Sequence, residues 1–95
     1  MENCVKHIYL TYDKYAKIFF GPICFENHEL AYAAIRRMIR DLYHKNEVTY
    51  DELCDTKFVH VADLNEQSGE IVPIAKEDFA FINANEFVDG DSNES

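Results

Sequence analysis

The chain lacks the short patterns that announce common chemistries: no P-loop, no glycine-rich dinucleotide motif and no His-Glu-x-x-His. No apolar run approaches the roughly 20 residues needed to span a bilayer, so no membrane partner is expected. The first apolar stretch is interrupted by Lys6 and His7, with no small-residue cleavage site after it, so no secretory signal is expected either. Cysteine is sparse, at Cys4, Cys24 and Cys54. An odd, widely spaced set argues against a disulfide framework and for reduced thiols in a cytoplasm-like compartment. Positive charge is almost missing from the second half. Residues 47–95 hold only Lys57 and Lys76 against thirteen Asp/Glu, whereas residues 1–46 hold seven Lys/Arg against five. The halves carry +2 and −11, which together give the net −9. Such a field repels nucleic acid and attracts basic protein surfaces.

What is present suffices for a folded domain. Ninety-five residues fit one domain, and 47% hydrophobic content with six Tyr and seven Phe provides a core. A chain this small exposes much of its surface, which makes a homodimer an option. Residues 4–12 are rich in β-branched and aromatic types and predict a strand. Val5, His7 and Tyr9 share one of its faces, with Ile8 and Leu10 on the other. Asp13-Lys14 forms a turn into a second strand over 16–20, which Gly21-Pro22 ends or bends, and 23–25 is a further extended piece.

Asn27 is an N-cap for a helix over 28–44, with Glu29 favourably placed in the first turn. Ala31, Ala34, Ile35, Met38, Ile39 and Leu42 recur at helical spacing as its apolar stripe. Thr49-Tyr50-Asp51-Glu52 has the form of a capping box and starts a short turn through Cys54. Residues 57–64 alternate as a strand, with Phe58, His60, Ala62 and Leu64 on one face and Val59, Val61 and Asp63 on the other. Residues 65–69 form a turn in which Gly69 is free to take a positive φ. Residues 70–74 pair back, with Pro73 marking an edge strand. Residues 78–82 form a last strand or a loop that packs Phe79 and Phe81. The composition predicts one domain over 1–85 and a disordered acidic tail over 86–95. The β-β-α-β-β order implies an α+β fold: a small antiparallel sheet with one long amphipathic helix packed on one face.

Candidate chemistry is thin. Cys4-x-x-His7 and Cys24-x-x-x-His28 offer zinc-type ligands, but residues three apart on a strand point to opposite faces, and no metal or other cofactor is expected. A Cys–His nucleophile needs a proximity that no local motif supplies. No catalytic residue is assigned, and the chain is expected not to be an enzyme. Two surfaces remain. Glu47, Asp51, Glu52, Asp55, Asp63, Glu66 and Glu70 could present spaced negative charge to the basic cleft of a protein partner, as a mimic of nucleic acid. Alternatively Tyr32, Arg36, Arg37, Arg40 and Tyr43 on the long helix could contact phosphate and stack on bases of single-stranded DNA, or meet the acidic half of a second copy.

One ordered set of residues carries a family resemblance. Tyr12-Asp13-x-x-Ala16-x-x-Phe19-x-x-Pro22 is followed by Asn27 and Ala31 opening the helix, and Asp63-x-x-x-x-Ser68-Gly69-x-Ile71 closes a hairpin. Over residues 8–72 this order resembles the small nonstructural protein of gokushovirus-type microviruses, the phages with single-stranded DNA genomes. Ser68 stands where those proteins commonly carry Thr. The resemblance implies a non-capsid phage accessory protein in the host bacterial cytoplasm, with a host protein as the partner. It brings no catalytic residues.

Overall fold

Alternating side chains at the start of the chain form strand β1 (Val5–Asp13), followed by β2 (Ile18–Phe25), the long helix α1 (His28–His44) and the short helix α2 (Tyr50–Cys54). Strand β3 (Thr56–Asn65), edge strand β4 (Ile71–Pro73), a 3-10 turn at Lys76–Asp78 and β5 (Ala80–Asn83) complete the order. This computed structural model describes residues 5–88. The expected α+β architecture is present, as an antiparallel sheet in the order β2-β1-β3-β4 with β5 also paired to β3. No helix among the described residues is long and apolar enough to cross a membrane.

Local chemistry sets the helix ends. The Asn27 side chain accepts from Leu30 N at 2.8 Å, and Asn46 takes a left-handed φ of 61° just beyond the C-terminus. At α2 the Glu52 backbone N–H donates to Thr49 Oγ1 (3.1 Å) while Thr49 N–H donates to Glu52 Oε1 (2.8 Å), a complete capping box. Gly21 lies at φ 120°, a conformation other residues rarely adopt, where β2 bends. The segments expected separately at 16–20 and 23–25 are therefore one bent strand.

Paired residues of antiparallel strands share a face, so the register shows what α1 covers. Tyr9 pairs with Ile23 on one side and His60 on the other, and Phe58 pairs with Ile82. Of these, Tyr9, Phe58 and Ile82, with Ile23 packed beside them, form the core together with Ala31, Ile35 and Ile39 of α1. Burying an Ile or Phe side chain stabilises the fold by roughly 1.5–3 kcal/mol. The helix stripe is narrower than its spacing predicts, because only the row 31–35–39 rests on the sheet. Ala34 is exposed and Met38 is 42% exposed.

Strand β3 corrects the predicted alternation. Ile8 pairs with Ala62 but Tyr9 pairs with His60, so Val61 has no partner on β1. This bulge sits where the outer neighbour of β3 changes, since β5 pairs residues 57–60 and β4 pairs residues 62–64. Ile74 N–H donates to the Val61 carbonyl at 2.8 Å, anchoring the crossing between them. The strand changes phase there. Phe58, His60 and Asp63 face α1, while Val59, Ala62 and Leu64 face the opposite side with Ile8 and Leu10.

The last segment forms the expected strand, as β5, but a different side chain packs the core. Ile82 is buried, whereas Phe81 stays about half exposed (49%), with the Lys57 ammonium 4.2 Å from its ring centroid. The boundary expected after residue 85 falls inside the core, because Phe87 and Val88 are buried against it. Both are apolar side chains whose burial outweighs the acidic composition around them. Residues 89–95 of the expected tail lie outside the described residues, as does Cys4.

Candidate functional site

The acidic residues are divided between the two ends of β3. Asp51 and Glu52 project from the first turn of α2, Asp55 caps its C-terminus, and Glu47 precedes it. Asp63, Glu66 and Glu70 belong to the β3–β4 hairpin. The seven residues 56–62 lie between Asp55 and Asp63, a strand length of about 25 Å. The seven therefore form two groups rather than one surface.

The two groups differ in what holds them. At the hairpin, Lys6 Nζ pairs with Glu66 at 3.3 Å and Asp63 is engaged by two histidines, while exposed Glu70 has no ion-pair partner among the described residues. At the α2 end, Glu52 closes the capping box, while Glu47, Asp51 and Asp55 have no ion-pair partner among the described residues. Leu53, 2% exposed, fixes α2 to the core beneath them.

The histidine cluster at the hairpin end was not foreseen from sequence. His7 Nδ1 and His60 Nε2 each lie 2.8 Å from Asp63 Oδ1. The His7 and His60 rings are 4.4 Å apart, and His60 stacks on Tyr9 at 5.1 Å. The fully buried Tyr9 places its hydroxyl 2.9 Å from His28 Nδ1 at the start of α1. Burial, and secondarily the Asp63 carboxylate, push the Tyr9 phenol above its ordinary value, so it is neutral at physiological pH. His7, Tyr9, His28, His60 and Asp63 thus form one contiguous polar network under the N-terminus of α1. No local motif could reveal it, because its members come from β1, α1 and β3 and the bulge at Val61 is needed to bring His60 and Asp63 together.

Among the described residues, no thiol is brought to a histidine. Cys24 is exposed and pairs in register with Ile8, on the sheet face opposite Tyr9, whereas His28 bonds to Tyr9. Cys54, partly buried, is a free thiol in α2.

On α1, Arg36, Arg37 and Arg40 line an open groove of about 440 Å³ with Ala33, Asp41 and His44. The aromatic half of the expected nucleic-acid patch points elsewhere. Tyr32 packs edge-on against Phe87 at 5.0 Å, and Tyr43 packs against the core. The groove therefore offers cations for anionic groups without an adjacent stacking platform. In comparison with known proteins, the chain matches no family model, no curated protein and no solved structure.

Proposed function

We propose that this chain acts without catalysis, as a binding protein that offers the acidic α2 end to a basic surface on a protein partner. The observation that carries this reading is the group of exposed Glu47 and Asp51 and half-buried Asp55, unpaired among the described residues and gathered at a capped, core-anchored turn. Rigid presentation lowers the ordering cost of binding, and uncompensated charge steers a basic partner towards it. In the setting that the resemblance implies, the partner is a host protein that handles nucleic acid, and the acidic turn mimics its substrate. Affinity capture from nuclease-treated bacterial host lysate tests the reading. Retention of a protein by the native chain, lost with E47K/D51K/D55K at unchanged circular dichroism, is the expected result. Undiminished capture by that variant overturns it. Glu52 is left intact because its carboxylate holds the cap.

A second reading takes its support from the arginine groove. There the chain binds single-stranded DNA, or the acidic end of another copy, through Arg36, Arg37 and Arg40. It predicts retardation of an oligonucleotide at low salt that fades steeply as salt rises. For the homodimer form, it predicts a sedimentation coefficient that falls in R36E/R37E.

A further inference from the structure

Three side chains of metal-ligand type converge on one point beside Tyr9. His7 Nδ1, His60 Nε2 and Asp63 Oδ1 lie within 4.8 Å of one another. We propose that His7, His60 and Asp63 together bind a borderline divalent cation, with zinc as its representative. Two imidazoles and one carboxylate suit zinc and its transition-metal neighbours, whereas magnesium and calcium favour oxygen-only sets.

The distances are close to those such an ion requires. Bonds of about 2.0–2.2 Å in a tetrahedral site place ligand atoms about 3.3 Å apart. Both nitrogens now approach Asp63 Oδ1 at 2.8 Å, through hydrogen bonds. The ion takes the place of the two hydrogen bonds, each neutral imidazole carrying its one proton on the ring nitrogen that faces away from the ion, and each nitrogen–oxygen contact opens by about half an ångström.

The rings are already oriented, since His60 is stacked against Tyr9 and adjoins His7. Packing of this kind keeps ligands in place before the ion arrives. The side chains of His60, His7 and Asp63 are 15%, 28% and 36% exposed, so the site is sheltered yet open to solvent. Three protein ligands leave a fourth position for water or for a side chain of a partner. The bulge at Val61 supplies the remaining condition. Without it, His60 and Asp63, three residues apart, would project from opposite faces of β3.

The site lies at the end of β3 away from α2, so metal binding and partner capture can fail separately. The full chain, reduced and stripped with chelator, is titrated with zinc chloride by calorimetry and with cobalt chloride by visible absorption. Expected are one equivalent of zinc and the absorption of four-coordinate cobalt without a thiolate charge-transfer band. H7Q and D63N should each weaken binding at least about tenfold, since removing a ligand costs no less than removing its supporting partner. Both should keep the native far-UV circular dichroism, while E66Q binds like the native chain. Should D63N fail to fold, H7Q alone decides. Absence of binding, undiminished affinity in H7Q, or a thiolate band that moves the ion to the cysteines would each overturn the proposal.

Discussion

The two ends of β3 carry similar amounts of acid, and two of the three hairpin acids are engaged where three of the four at α2 are not. At the hairpin, Asp63 and Glu66 are tied to His7, His60 and Lys6. At α2, Glu47, Asp51 and Asp55 stand exposed or half-buried without such partners among the described residues. Net charge alone does not separate these cases. The difference lies in whether the backbone brings a nitrogen within reach. A carboxylate already engaged by a neighbouring nitrogen contributes to the fold, and one without such a contact is available to something else.

The largest expected effect breaks the comparison at its acidic end. Leu53→Ala removes the buried side chain that fixes α2 and should cost about 2–5 kcal/mol in urea unfolding. A loss below about 1 kcal/mol would mean that α2 is not held by the core. Next, Asp63→Ala strips two histidines of a shared acceptor and should cost about 1–2 kcal/mol, discounted for its partial exposure. A neutral result would place Asp63 with the unpaired acids.

Tyr9→Phe deletes one hydrogen bond and should cost about 0.5–1.5 kcal/mol near neutral pH. It also has a pH signature. The folded phenol titrates above the ordinary value of 10.0, so above that value the unfolded chain releases its proton first. Stability then falls as pH rises from about 10 towards the folded value, and this fall should flatten in Tyr9→Phe. Unfolding curves taken between neutral pH and pH about 11 check the difference. Smallest of all, the triple change E47Q/D51N/D55N should shift stability by no more than about 0.5 kcal/mol, in either direction. A substantial loss would reveal structural work at the end assigned to binding.

How much of this was legible in the sequence depended on how local the determining contacts are. Helix α1, its Asn27 cap and the Thr49–Glu52 box were foreseen because each is decided within a few residues. The hairpin turn and the edge position of Pro73 followed from local backbone chemistry in the same way. Ala62, Asp63 and Leu64 were assigned to the wrong faces because alternation assumes a regular ladder, and the bulge at Val61 reflects a change of neighbours set by distant β4 and β5. The polar network was hidden for the same reason, with Asp63 seen only as one more acid. Phe87 and Val88 were missed because two apolar residues in an acidic stretch have no period of their own.

The bulge also bears on how the chain tolerates insertions and deletions. Strand β3 is one residue longer than its pairing with β1 demands, and Val61 is the supernumerary one. Excising Val61 would leave a regular ladder in which Phe58, His60 and Asp63 still share their face, at the cost of the bond to Ile74. Lengthening the strand there offers no such escape: a further residue must either be looped out or turn Asp63 away from His60. The hairpin end of β3 should therefore accept a deletion at position 61 more readily than an insertion.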